Sequence, residues 1–274
     1  MKILEFGDTS KAKIILIHGF QSPWQVWSEY IEYYKKDFHI IVPVMSGHNP
    51  EEKEDFILFS AEAKELEDYI IPRYGKEIYA VYGMSMGGVL TATLWQNEKI
   101  NFNKVIFDGS PLVSYNGFMK KFMKRFYLDI THKSQQRDKK TVEQATKVII
   151  SEDNLDDFLK VLDAMSDITI ENSIDGIAEF KLKQDTSSSH TVVYFFHGTA
   201  PNEMLAKKSA KYVKKHYPTT VVKCFKGKFH CENALFHPEI MIAELDKIFY
   251  ESRNKCILWN KFKVGEIKNV TYDN

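Results

Sequence analysis

The chain has 274 residues, with 37 basic and 37 acidic side chains. Zero net charge leaves no overall basic field to attract nucleic acid or an anionic lipid surface. Hydrophobic residues make up 44%, enough for a buried core, yet no apolar run approaches the roughly 18–20 residues that a membrane span needs.

The opening MKILEFGDTSK has neither the apolar stretch nor the small-residue cleavage site of a secretory signal. Apolar segments then alternate in type. Lys13 to Ile17 (KIILI) is a short β-branched run ending at His18-Gly19. Ser22-Pro23-Trp24-Gln25 predicts a helix start, with Ser22 as N-cap and proline at the first helical position. Phe38 to Val44 predicts a strand and Ser60 to Tyr74 a helix, with Ala63, Leu66, Ile70 and Tyr74 at helical spacing. Ile78 to Tyr82 is a third strand, Met86 to Asn97 a helix, and Lys104 to Asp108 a fourth strand.

From Leu112 to Asp185 the rhythm breaks. The segment is charged and helical in pattern. Phe118, Met119, Phe122, Met123, Phe126 and Tyr127 form one apolar stripe, with Lys120, Lys121, Lys124 and Arg125 on the other side. Leu155, Phe158, Leu159, Leu162 and Met165 form another, after a cap at Ser151 or Asn154. Two more strands follow, Thr191 to His197 and Thr219 to Phe225, separated by a helix from Glu203 to Tyr217. A last helix runs from about Glu239 to Glu251, and the aromatic, basic tail after Arg253 has no assignment. Strands apolar on both faces that alternate with helices predict an α/β fold, a mostly parallel central sheet with helices on both faces. The helical segment is an insertion that suits a lid.

The chemistry concentrates in Gly83-Met84-Ser85-Met86-Gly87-Gly88. A serine hydroxyl is a poor nucleophile until it is exposed and set beside a base. A tight strand-to-helix turn exposes it. Glycines two residues before and after remove Cβ atoms that would clash in such a turn, and the helix N-terminus aims free N–H groups at a developing oxyanion.

At this point the sequence resembles the α/β-hydrolase family. The matching stretches are IILIHGF (14–20), IIVPVMSGHN (40–49), VYGMSMGG (81–88), KVIFDGSPL (104–112), VVYFFHG (192–198) and FKGKFHCEN (225–233), in the family's order. The resemblance implies an eight-strand-type sheet, core segments 1–111 and 187–274, a helical cap over 112–186, and a serine–acid–histidine triad. It implies Ser85 as nucleophile and His230 as the base, although Phe229 stands where the family usually has glycine. Backbone N–H groups of Phe20 and Met86 would form the oxyanion hole, with His18 shaping that loop and not transferring protons. His48 and His237 read as loop and helix-start residues.

Two carboxylates compete as the acid. The family usually shows glycine, two residues, then Asp or Glu; here Gly198-Thr199-Ala200 is followed by Pro201. Glu203 lies two positions later with a longer side chain that reaches back, and it is the favoured candidate. Asp108, at the end of its strand, is the alternative. The expected activity is hydrolysis of a carboxylic ester with an apolar acyl part, with no metal or organic cofactor. A thioester, amide or carbon–carbon substrate, or a binding relative without turnover, are the rival readings. Cys224, Cys231 and Cys256, odd in number and without metal-like spacing, read as free thiols in a reducing, cytoplasmic setting.

Overall fold

The computed structural model describes residues 1–184 and 190–250. The tail after Arg253, Cys256 and the expected boundary at 186/187 lie outside the described residues. The elements, in chain order, are β1 (Lys2–Phe6), β2 (Lys13–Ile17), α1 (Ser28–Tyr34), β3 (His39–Val44), α2 (Phe59–Tyr74), β4 (Glu77–Met84), α3 (Met86–Asn97) and β5 (Asn101–Asp108). Four helices follow: α4 (Gly117–Gln135), α5 (Lys139–Val148), α6 (Leu155–Ala164) and α7 (Asp167–Glu179). The core resumes with β6 (Val192–Gly198), α8 (Met204–His216), β7 (Val221–Phe225), α9 (Glu232–Phe236) and α10 (Pro238–Phe249).

The strands form one sheet in the order β1-β3-β2-β4-β5-β6-β7. All neighbours are parallel except β1, which runs antiparallel to β3. The described residues thus supply seven strands where the family resemblance implied eight. Residues Ile14 to Ile17 are fully buried, and their alternation divides them between two cores. Ile15 and Ile17 pack with Ala63, Leu66 and Ile70 of α2 and Val89 and Leu90 of α3. Ile14 and Leu16 pack with Tyr30, Ile31 and Tyr34 of α1 and Met241, Leu245 and Ile248 of α10. Burial on both faces is why these strands read as continuous apolar runs.

One local expectation is corrected. Ser22 does not cap a helix. Pro23 is extended, Trp24–Trp27 is a short 3-10 turn, and α1 begins only at Ser28. The Ser22 N–H closes a turn on the Gly19 carbonyl at 3.3 Å, which commits that residue to the loop after β2. Further along, Ser151 precedes a 3-10 turn, Glu152–Asn154, that leads into α6, and neither Ser151 nor Asn154 makes a side-chain capping hydrogen bond.

Helices α4–α7 stand between β5 and β6 and pack over the loops that leave the C-terminal ends of β2 and β3. The Gln21 Nε2 donates to Thr131 Oγ1 of α4 at 2.6 Å. Ser166 donates to Asp55, and the Phe56 N–H donates to Thr169 Oγ1 at 3.1 Å. Gly47, with φ 74°, lies against Thr169, where a Cβ would come within 2.4 Å of the threonine methyl. Among the described residues no helix is long and apolar enough to cross a membrane.

Candidate active site

Ser85 stands between β4 and α3 with φ 51° and ψ −115°, a backbone conformation that a non-glycine residue adopts only under tertiary constraint. The constraint is visible. The Ser85 N–H donates to the Asp108 carbonyl at 2.7 Å, and the Gly88 N–H returns to the Ser85 carbonyl at 3.0 Å. A Cβ on Gly83 would lie 2.5 Å from the Gly87 carbonyl oxygen, and one on Gly87 would lie 2.4 Å from that of Ile17. These two positions exclude any side chain, as the turn's tightness predicts.

The turn delivers the hydroxyl to a histidine. Ser85 Oγ lies 2.8 Å from His230 Nε2, and His230 Nδ1 lies 2.5 Å from Glu203 Oε1. His230 sits in the loop after β7, and Glu203 ends a 3-10 turn, Pro201–Glu203, after β6. A carboxylate at Nδ1 can only accept, so Nδ1 carries the proton and Nε2 is left to accept from the serine hydroxyl. Glu203 is fully buried. Its second oxygen accepts the Gly198 N–H at 2.7 Å, so both oxygens are engaged. The loops are clamped to each other by the Thr199 and Ala200 N–H groups, which donate to the Lys228 carbonyl at 2.9 and 3.0 Å. The Glu232 carboxylate accepts the Phe229 N–H at 2.9 Å one residue before the histidine.

Asp108 is also close by, but its hydrogen bond goes elsewhere. Its Oδ2 accepts the Tyr82 hydroxyl at 2.8 Å, while its backbone holds the Ser85 turn. Burial pushes its carboxyl up to about 7. Gly109, with φ 62°, lets this strand end press on the imidazole: a Cβ there would meet His230 Cε1 at 2.8 Å and Cys231 Sγ at 2.6 Å. The Cys231 thiol is buried and donates weakly to the Asp108 carbonyl at 3.5 Å, with its ionisation pushed well above the usual thiol range by burial. Among the described residues no cluster of metal-ligating side chains occurs.

The loop after β2 runs beside the serine. A Cβ on Gly19 would stand 3.5 Å from Ser85 Cβ, and Phe20 shares a cavity with Ser85. Met86 is the first residue of α3, so its N–H has no intrahelical acceptor. Two buried histidines shape the loop. His18 donates from Nδ1 to the Gly19 carbonyl at 2.9 Å and accepts the Met45 N–H at Nε2 at 3.1 Å. His48 accepts the Gln21 N–H at Nε2 at 3.1 Å and faces the Ser46 carbonyl with Nδ1. Burial holds both neutral, lowering His18 to about 4 and His48 to about 3.

Over Ser85 lies a cavity of about 260 Å³. Its walls come from Phe20 and Met84 of the core, Phe126 and Tyr127 of α4, and the Val148–Ile150 run at the end of α5. The sequence reading missed three contributors. Gln21, with φ 58°, ties the loop to the insertion. Asn202 reaches the cavity from the Pro201–Glu203 turn, and Val148–Ile150 forms one wall. Only the last carried a local signal, an apolar run inside a charged segment. The Gln21 contacts span 27 and 110 residues, beyond any local pattern.

No protein-family model and no curated protein sequence matches the chain. Solved structures do. A Desulfitobacterium hafniense protein assigned to the alpha/beta hydrolase family superposes with a TM-score of 0.72 at 15% identity, over 90% of this chain and 99% of that one. A carboxylesterase of the thaumarchaeon Nitrososphaera gives 0.70 at 13% identity, over 92% and 95%. A bromoperoxidase from Bacillus anthracis gives 0.69 at 17% identity, over 91% and 94%. Shared architecture across such different chemistries establishes a scaffold and leaves activity to the site. The mostly parallel sheet, the strand-to-helix turn at Ser85 and these superpositions agree: the chain has the α/β-hydrolase fold.

Proposed function

We propose that the chain is a serine hydrolase that cleaves a carboxylic ester through an acyl-enzyme on Ser85. The observation that carries this reading is the continuous relay Ser85 Oγ to His230 Nε2 at 2.8 Å and His230 Nδ1 to Glu203 at 2.5 Å, built on a strained turn. As Ser85 Oγ bonds to the carbonyl carbon, its proton passes to His230 Nε2. The Glu203 carboxylate stabilises the imidazolium and keeps its ring in place. The carbonyl oxygen becomes an oxyanion held by the Phe20 and Met86 N–H groups. Collapse expels the alcohol, which takes the proton from His230. Water then repeats the sequence on the acyl-enzyme and releases the acid. Asp108 has no step in this scheme; it supports the turn and the packing of the imidazole.

The substrate reading follows from the cavity. A volume of about 260 Å³ walled mainly by aromatic and branched aliphatic side chains suits a small apolar acyl group. Helices α4–α7 act as its cap, so the division into core 1–111 and 187–274 and cap 112–186 is part of the proposal. So is a cytoplasmic setting, with which the free thiols Cys224 and Cys231 accord.

The test is a panel of chromogenic esters of graded acyl length, run on the parent and on Ser85→Ala. Turnover of the short esters that disappears in the variant, with an unchanged melting transition, supports the assignment. Equal turnover by the variant overturns it.

A further inference from the structure

One wall of the cavity is also surface. Phe126 lines the cavity and is 45% exposed. Four and eight residues earlier on α4 stand Phe122, 57% exposed, and Phe118, 81% exposed. The Phe122 and Phe126 rings stack with centroids 6.3 Å apart. Four-residue spacing places all three on one stripe of the helix. A single exposed aromatic is ordinary, but three in line beside a cavity mouth make a patch.

The charges around the stripe sum to a small positive excess. Lys120 and Lys124, on the inner flank, are engaged by Asp175, Glu179 and Glu171 of α7. Asp129 is engaged by Lys133. Lys121 and Arg125 are exposed beside the phenylalanines and have no ion-pair partner among the described residues. Lys120, Lys121, Lys124, Arg125 and Lys133 thus stand against Asp129, Glu171, Asp175 and Glu179, a net charge of plus one, with the two cations that lack an ion pair lying beside the rings. A second copy seated on the same stripe would bring two more cations and no free carboxylate from this face to meet them. An anionic lipid layer offers both the apolar depth for the rings and the phosphates for the cations.

We propose that α4 docks the protein on an anionic lipid surface. Phe118, Phe122 and Phe126 enter the headgroup–acyl boundary, Lys121 and Arg125 meet the phosphates, and the cavity mouth faces the lipid. Zero net charge on the whole chain does not oppose this, because the attraction acts within about 8 Å at physiological salt. The inference goes beyond the hydrolytic reading and does not depend on it.

The experiment is co-sedimentation of the full chain with phosphatidylcholine vesicles, prepared with and without phosphatidylserine. The parent should pellet with the anionic vesicles and much less with the neutral ones. Phe118→Ser/Phe122→Ser should lower the partition coefficient roughly tenfold per phenylalanine. Lys121→Glu/Arg125→Glu should erase the preference for phosphatidylserine. Both variants should keep the parental melting transition, since these side chains are exposed. Three results would overturn the proposal: no binding of the parent to either vesicle, equal binding by the phenylalanine variant, or a dimer in solution that the phenylalanine variant dissolves.

Discussion

Two buried carboxylates stand near the ends of adjacent strands of the sheet, Asp108 as the last residue of β5 and Glu203 in the turn beyond β6, and they have different partners. Glu203 is fully enclosed, and both its oxygens meet N–H groups, those of His230 and Gly198. Asp108 is also buried, but among the described residues its one side-chain donor is the Tyr82 hydroxyl. For Asp108, burial against one hydroxyl favours the neutral form. That accords with the upward push on Asp108 to about 7. A position at a strand end brings an acid to the right neighbourhood. What it faces decides what it can do there.

The contrast can be broken first at Glu203. Glu203→Gln keeps the shape but replaces an acceptor-only group at Nδ1 and weakens the hold on the imidazolium. Ester turnover should fall by roughly three to four orders of magnitude, as for loss of the acid in other triads. Near-parental kcat in that variant would remove Glu203 from the scheme.

The next effect falls on stability. Tyr82→Phe leaves the Asp108 carboxyl without its one side-chain donor, which should cost about 1–3 kcal/mol in chemical denaturation. An unchanged transition would mean that the Tyr82 contact contributes nothing net.

A further effect at Asp108 depends on pH. The Asp108 carboxyl has a raised folded value, about 7, against about 3.9 unfolded. Between these values the folded form binds more protons than the unfolded one. The group's contribution is full below about pH 4 and is lost as pH rises through about 7. Asn cannot ionise, so Asp108→Asn should gain on the parent as pH rises from 5 to 8, by an amount on the order of a few kcal/mol. A stability difference flat across that range would contradict the upward shift. The smallest effect expected is that of Asp108→Asn on turnover, within about threefold at a fixed pH, a barrier change below 1 kcal/mol. A collapse of turnover there would exchange the roles of the two acids.

The same pair marks what the sequence reveals and what it hides. Strands β2 to β6 read correctly because parallel strands buried on both faces are continuous apolar runs, as in Ile14 to Ile17. The turn at Ser85 read correctly because Gly83 and Gly87 are required by close backbone approach, which is a local matter. β1 escaped notice because it is a half-buried antiparallel edge of five residues, KILEF, with little pattern. The acid stayed open for a geometric reason. Pro201 and Asn202 enlarge the turn, and whether Glu203 reaches back depends on how the loops of β6 and β7 clamp at Lys228. No window around either residue contains that information. The helix expected at Ser22 failed likewise, because its backbone is engaged by Gly19 in the loop beside Ser85.

Ser85 is the activated nucleophile of the proposed scheme, and covalent capture tests that most directly. The full chain is treated with a fluorophosphonate probe, and the modified residue is located by peptide mass spectrometry. Stoichiometric labelling on Ser85, slowed in Glu203→Gln and nearly parental in Asp108→Asn, is the predicted result. An unlabelled chain, or a label that resides elsewhere and persists in Ser85→Ala, would contradict it.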